Sequence, residues 1–154
     1  MKKIVAITSA LLMMLSAGSL AAVAEDAPAK ASVYVTIADK DGKLAMTQQA
    51  VTVTDADGDN ALTINDALIA AHEASYPGGA AAGYASENTT YGLSMTKLWG
   101  TANGGGYGYY VNNAAAWSLA DAVKDGDYVN AFVYTDLTGW SDAYTFFDVH
   151  TVST

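Results

Sequence analysis

The sequence contains no cysteine and no arginine, and only two of its 154 residues are proline. Without cysteine the chain has no disulfide, no thiolate metal site and no lipid-carrying cysteine. Seven lysines stand against 16 acidic residues, so the formal net charge is −9. Nucleic acids and anionic lipid surfaces are bound through cationic side chains. The charge balance therefore argues against both as partners and favours a soluble secreted protein or a bound cation.

Residues 1–24 have the pattern of a secretory signal peptide. A basic start, MKK, precedes an apolar run, and Ala22 and Ala24 occupy the two positions where a signal peptidase reads small residues. The run is nearly long enough to span a membrane, so an uncleaved anchor is the alternative. The cleavage motif and the polar EDAPAK after it favour removal. We predict cleavage after Ala24, a secreted or extracellular location, and no membrane association afterwards.

The remaining 154 − 24 = 130 residues contain five lysines and all 16 acids, a formal charge of 5 − 16 = −11. This length suits one domain. We assign residues 25–30 to a short leader and residues 31–154 to a single domain. A secreted domain without disulfides favours a bacterial source.

Apolar and polar residues alternate in several stretches, which is typical of half-buried strands. The stretch SVYVTIAD is the first, and LAMTQQAVTVTD returns after the turn DKDGK with a kink near Gln48. Three further strand-like stretches lie in the second half: TTYGLSMTKLWG, YGYYVNNA and YVNAFVYTD. The end of the chain, GWSDAYTFFDVHT, is predicted as an edge strand or a loop.

One helix is predicted between the two groups of strands. The stretch TIND has the form of a capping box, in which Thr63 and Asp66 bond each other's backbone N–H groups. Ile64, Leu68 and Ala71 share one helical face, and YPGG ends the helix. The following AAAGYASENTT is predicted as a loop of small residues. The expected order is two strands, one helix, and three or four strands.

Four stretches occur in an order that resembles a known family: LTINDALIAAHEA, YGLSMTKLWG, YGYYVNNAAA and VKDGDYVNAFVYTD. They resemble the domain of unknown function DUF4430, which is related to the C-terminal domain of transcobalamin and to the SLBB group of β-grasp-like modules. The resemblance covers about residues 31–136. It implies an α+β fold, a β-grasp-like mixed sheet of about five strands packed on one main helix. No residue carries over the cobalamin chemistry of transcobalamin, so the expectation concerns the fold alone.

The stretch TDADGDNALTINDAL resembles the calcium loop of EF-hands and dockerins. That loop places oxygen ligands at positions 1, 3, 5, 7, 9 and 12. Numbering it from Asp55 makes the ligands Asp55, Asp57, Asp59, the Ala61 carbonyl, Thr63 and Asp66. The sequence thus predicts one calcium ion as cofactor.

Two positions depart from the EF-hand pattern. Asn60 replaces the glycine at position 6, although asparagine tolerates a left-handed backbone. Asp66 replaces the longer glutamate at position 12, as in dockerins. Because only one such loop is present, a dockerin-like protein-interaction module is the lesser alternative. The other alternative is that the stretch is a plain acidic connection between a strand and a helix. The chain would then be a metal-free domain that binds a small ligand.

Aromatic residues supply the candidate recognition surface. Trp140 and Tyr144 lie in a stretch rich in Gly, Ser and Asp, where exposure is expected. Tyr110 lies on the face of its strand opposite Tyr107 and Tyr109. These three side chains, Trp140, Tyr144 and Tyr110, are the predicted ligand contacts. The expected partner is a surface glycan, a protein or a small ligand whose identity the sequence leaves open.

No reaction centre is predicted, and we expect the chain not to be an enzyme. His72 and Glu73 are adjacent, but no second histidine follows at the spacing of a zinc helix, and His150 is remote in sequence. His72 is predicted as a polar residue at the edge of the helix. The runs GGAAAG and GGGYG lack the lysine of a phosphate-binding loop and are predicted as turns.

Overall fold

The computed structural model describes residues 29–102 and 104–145. The predicted signal peptide, most of the predicted leader, and His150 lie outside these residues. The described residues form nine elements, in chain order β1 (Lys30–Ala38), β2 (Leu44–Thr54), α1 (Ile64–Ser75), α2 (Gly79–Gly83), β3 (Ala85–Thr89), β4 (Gly92–Lys97), β5 (Tyr107–Val111), β6 (Ala114–Ala115) and β7 (Tyr128–Val133).

Five of the strands form one mixed sheet with the order β2-β1-β7-β5-β6. β1 pairs antiparallel with β2 and parallel with β7, while β5 pairs antiparallel with both β7 and β6. The prediction of a mixed α/β domain with a five-stranded sheet is therefore confirmed at this level. Within the described part of the chain, strands predominate and helices are few.

The predicted hairpin between β1 and β2 is present, with its kink. Gly42 in the turn has a φ of 71°, which glycine adopts without steric cost. At the kink Gln48 has a φ of 41°, and the register of the ladder shifts between Val35 and Ile37. The backbone N–H of Gln48 donates to the Thr36 hydroxyl at 3.0 Å, which replaces the ladder bond that the bulge removes.

Helix α1 packs on one face of the sheet because its apolar stripe meets the inward residues of the central strands. Ile64, Leu68 and Ala71 are fully buried and belong to the same core cluster as Val35 and Val129. The helix begins at the predicted capping box and ends before Pro77. This arrangement brings the residues that precede α1 to the edge of the sheet formed by β2.

The stretch AAAGYASENTT is not the loop that its small residues suggested. It contains α2 and β3, and β3 pairs with β4 as a separate two-stranded sheet. β3 is short and polar, with residues such as Glu87 and Asn88 exposed, so it has no alternating apolar pattern to detect. β4 therefore belongs to this hairpin rather than to the main sheet.

Candidate metal centre and aromatic surface

The acidic loop, which we define as residues 55–62, joins β2 to α1. Asp55 is half-buried, while Asp57 and Asp59 are exposed. One carboxylate oxygen from each of these three residues lies within 4.8 Å of the others. The alternation of acids in the sequence therefore does bring three carboxylates to one place, and this cluster could hold a metal ion.

Backbone N–H groups organise the loop around the first of these carboxylates. Asp55 Oδ1 accepts from Gly58 N at 2.7 Å and from Asp59 N at 3.2 Å, and its Oδ2 accepts from Asn60 N at 2.9 Å. Gly58 and Asn60 have φ values of 80° and 65°, which turn the chain back around Asp55. Asn60 thus adopts the left-handed conformation that glycine would supply at the sixth EF-hand position.

Thr63 and Asp66, two of the predicted ligands, are used by the helix cap. Asp66 Oδ2 accepts from Thr63 N at 2.9 Å and from Thr63 Oγ1 at 2.7 Å, and Asp66 N donates back to Thr63 Oγ1 at 3.3 Å. The second oxygen, Asp66 Oδ1, accepts from Ala56 N at 2.9 Å. Both residues are 1% exposed. The cap therefore ties the start of the loop to the start of α1.

Ala61, the predicted carbonyl ligand, is half-buried at the end of the loop. Its N–H donates to Asp59 Oδ1 at 2.8 Å, so the third carboxylate is also held by the backbone.

The cluster has no cationic side chain as partner. Among residues 29–102 and 104–145 the one ion pair joins Lys40 to Asp41, at 2.7 Å. Carboxylates this close repel each other unless a cation lies between them. All the converging atoms are carboxylate oxygens, which are hard ligands that suit calcium, magnesium or manganese better than zinc or copper.

Asn65 links the cluster to the interior, and sequence reasoning did not identify it. Its Nδ2 donates to Asp57 Oδ2 at 3.0 Å, and its Oδ1 accepts from the hydroxyls of Tyr84 at 2.8 Å and Ser86 at 2.9 Å. Asn65 is 4% exposed. Burial raises the pKa of the Tyr84 hydroxyl, which therefore stays a donor. Position 65 follows the first residue of α1, and only the fold shows that it reaches Asp57.

The predicted aromatic contacts lie on the sheet face opposite α1. The ring centroids of Tyr110 and Tyr144 are 4.3 Å apart, and the Tyr144 ring is stacked on Phe132 at 5.2 Å. The Tyr144 hydroxyl donates to Asn113 Oδ1 at 2.6 Å. The structure thus brings Tyr110 and Tyr144 together, with Phe132 as an unforeseen third ring.

Trp140 stands at the other end of the same row of rings. Its ring packs edge-on against Tyr134, with a centroid distance of 4.8 Å. Tyr134 in turn packs edge-on against Phe132, with a centroid distance of 5.1 Å. Trp140 is 55% exposed and has a φ of 52°. It is therefore connected to Tyr144 through two other rings rather than by direct stacking.

The loop that carries Trp140 is closed by two aspartates. Hydrogen bonds lower the pKa of Asp136 to about 2. The donors are the backbone N–H of Gly139, which is 2.7 Å from Asp136 Oδ1, the Ser141 hydroxyl and the backbone N–H of Thr138. The hydroxyl of Thr135 donates to Asp142 and, with backbone N–H groups, lowers the pKa of that carboxyl. Both carboxylates therefore stay ionised in mildly acidic solution.

Among the described residues, the most exposed aromatic side chains are elsewhere. Trp117 is 91% exposed and Tyr91 is 87% exposed. Their loops are adjacent, because Leu93 N donates to Ser118 Oγ at 3.1 Å and Leu119 N donates to Leu93 O at 2.9 Å. Sequence reasoning did not distinguish these two rings from core aromatics, because neither continues a strand with clear alternation.

His72 is not at the edge of the helix, as its neighbours suggested, but is 0% exposed. Its Nδ1 bonds the Leu68 carbonyl at 2.7 Å, and its Nε2 accepts from the backbone N–H of Trp99 at 3.1 Å. Burial lowers the pKa of the imidazole, which agrees with a neutral ring protonated on Nδ1. The rings of Tyr76, Tyr84 and Trp99 surround it. His72 is a satisfied core residue and is not exposed to a metal or a substrate.

Among the described residues, neither helix has the length and apolar character that crossing a membrane requires.

No protein-family model matches the chain, and no curated protein has a matching sequence.

Proposed function

We propose that this chain is a secreted, non-catalytic recognition module stabilised by one calcium ion in its acidic loop. The observation that carries the proposal is the convergence of the Asp55, Asp57 and Asp59 carboxylates within 4.8 Å, with no cationic side chain paired to them in the described chain. A loop that concentrates three negative charges is stabilised most directly by a cation.

Calcium fits this donor set better than other metals. It takes six to eight oxygen ligands in flexible geometry, and carboxylates and backbone carbonyls are its usual partners. Asp55, Asp57 and Asp59 would hold the ion, with the Ala61 carbonyl beside them. An ion bound only by the folded loop would stabilise the connection between β2 and α1, and with it the whole domain. Such single loops suit the millimolar-scale calcium of extracellular fluid.

The architecture supports a β-grasp-like relationship. The first and last long strands, β1 and β7, are parallel neighbours at the centre of the sheet, with antiparallel partners on either side. One main helix covers one face. The resemblance to DUF4430 and the transcobalamin C-terminal domain implies a mixed sheet of about five strands packed on one main helix. We propose that relationship because the sheet, the helix and the four sequence stretches are compatible with it.

Calorimetric titration of the mature protein with calcium tests the metal site. We expect saturable binding with a stoichiometry of one, and the loss of most of that affinity in Asp57→Asn. Asp41→Asn is the matched control, because it removes an equal charge from an exposed residue outside the loop. Equal calcium affinity in the two variants would contradict the assignment.

A metal-free ligand-binding domain is the second candidate. It is favoured by the helix cap, which engages both oxygens of Asp66 and the hydroxyl of Thr63 without an ion. In this case the loop would be an acidic turn, and calcium would produce no saturable heat in the titration. The recognition surface around Tyr110, Tyr144 and Trp140 would be the functional site in either case.

Secretion is tested separately. Expression of the full chain in a bacterium with a Sec pathway should release a protein whose first residue is Glu25. N-terminal sequencing of the exported protein gives the answer, and Ala24→Leu should block cleavage because a large residue does not fit the peptidase.

A further inference from the structure

A cavity of about 430 Å³ lies on the sheet face opposite α1. Its floor is formed by β1 and β7, and its walls by the turn between β1 and β2, by residue 135 and by residues 142–145. Thr36 and Asn130, which are paired in the parallel ladder, contribute to the floor. This volume is within the range of small-molecule sites.

The floor of the cavity contains an orphaned polar group. Asn130 is 4% exposed, and its Nδ2 has no hydrogen-bond partner. A buried donor without an acceptor destabilises a folded protein, and native proteins keep few of them. Position 130 is in the middle of a central strand, where a β-branched apolar residue would be more favourable. Because Nδ2 itself has almost no accessible surface, a rotation of the Asn130 amide toward the cavity would let a bound ligand supply the missing acceptor.

The walls indicate the chemistry of that acceptor. The rings of Phe132 and Tyr144 line the cavity together with the carboxyl groups of Asp39 and Asp142. No lysine lines the cavity, although the lining residue Asp41 is paired with Lys40 at 2.7 Å. Asp39 and Asp142 have no cationic side chain as partner among the described residues. These two carboxylates disfavour an anionic ligand, while they accept hydrogen bonds from hydroxyl groups.

We propose that this cavity binds a neutral sugar unit, with Asn130 as the polar contact at its floor. A pyranose offers hydroxyl oxygens that accept from the Asn130 amide, hydroxyl protons for the Asp39 carboxylate, and an apolar C–H face for the Tyr144 ring. The proposal rests on the recognition function proposed above and gives it a site and a ligand class. It does not depend on the metal.

Nuclear magnetic resonance titration of the calcium-loaded mature protein tests the site directly. Glucose and N-acetylglucosamine are the probes, and glucuronate is the anionic control. We expect saturable shifts of the Asn130 side-chain amide resonances with a neutral sugar, and none with glucuronate. Shifts that do not saturate, or that spare Asn130, would overturn the proposal.

A pair of variants separates binding from folding. Asn130→Leu removes the unpartnered amide and should weaken sugar binding by at least about tenfold, equivalent to about 1.4 kcal/mol, while the protein melts at the same or a higher temperature. Gln48→Met is the matched control, because Gln48 Nε2 is also buried without a partner but does not line the cavity. It should leave sugar affinity unchanged.

The outcomes distinguish this proposal from the function on which it rests. Unchanged affinity in Asn130→Leu overturns the cavity as the site. If a neutral sugar shifts the indole resonance of Trp140 and not the Asn130 amide, recognition stands and the cavity assignment fails. If no sugar binds while calcium still binds with a stoichiometry of one, the sugar proposal fails and the metal site stands.

Discussion

Asn65 is one of the residues that join the acidic loop to the interior. Its side-chain Nδ2 donates to Asp57, and its Oδ1 accepts from the hydroxyls of Tyr84 and Ser86. One side chain of α1 therefore joins the loop to the start of β3. Because the residue is buried, removing it leaves several polar groups without partners.

Asn65→Leu should therefore lower the free energy of unfolding by about 2 kcal/mol or more. Ser86→Ala, which removes one half-buried hydroxyl from the same network, should lower it by about 1 kcal/mol or less. Urea denaturation of both variants measures the difference. Equal effects would mean that the bonds to Asp57 and Tyr84 contribute little.

His72 makes stability depend on pH near neutrality. Burial lowers the pKa of the folded imidazole below its ordinary value of 6.5. Above pH 6.5 both folded and unfolded chains are neutral at this residue, and its contribution to stability is complete. As the pH falls below 6.5 the unfolded chain binds a proton that the folded chain does not, so stability is lost until the folded pKa is reached.

The free energy of unfolding should thus fall as the pH drops below about 6.5, by at most about 1.4 kcal/mol per pH unit for one proton. Urea denaturation of His150→Gln across this range isolates the effect, because His72 is then the one histidine in the chain. A flat profile would contradict a neutral buried ring.

At the scale of elements, the connection from β2 to α1 depends on reciprocal capping. The Thr63 side chain, the Asp66 side chain and the N–H of Ala56 form a closed set of bonds at the helix start. Because these bonds join groups of the protein to one another, we expect the helix to begin at the same residue with or without metal.

Thr63→Ala should destabilise the protein by about 1–2 kcal/mol, because the Asp66 N–H loses its acceptor. Thr63→Ser keeps the hydroxyl and should recover most of this. Thermal denaturation in the presence of a chelator is the suitable measurement, since bound calcium would mask part of the loss. If serine restores nothing, the methyl group of Thr63, and not its cap, is what matters.

Elements with a local signal were predictable and those without one were not. The first half of β1 alternates between buried and exposed residues, and β7 is a run rich in Val and aromatic residues, which favour strands. The capping box of α1 is recognisable from four consecutive residues. β3 is polar and exists because it pairs with β4, while α2 is a run of small residues with little amphipathic character. The formation of β3 and α2 depends on pairing and packing with distant segments of the chain. The pattern of residues within one segment does not reveal such contacts.

At the scale of the whole molecule, the candidate sites could be predicted in part. The spacing of Asp55, Asp57 and Asp59 was sufficient to predict their convergence. The roles of Asn65 and Asn130 were not predictable, since each depends on partners or on a cavity formed by residues far away in the chain. The burial of His72 was not predictable for the same reason, because its second hydrogen bond is donated by the backbone N–H of Trp99, which is distant in sequence.

The domain places its two candidate sites apart. The acidic loop joins β2 to α1, while the cavity lies on the opposite face of the sheet against β1 and β7. A metal at the first site would therefore act on the second through the stability of the sheet, not by direct contact. Loss of the ion should weaken the fold without removing the groups that line the cavity.

The calcium site is tested most directly by the melting temperature of the mature protein in calcium and in chelator. At a calcium concentration far above the dissociation constant, we expect an increase of at least about 5 °C over the chelator value. The increase should be much smaller in Asp57→Asn and retained in Asp41→Asn. An identical melting temperature for the wild-type protein in calcium and in chelator would rule out a stabilising calcium ion.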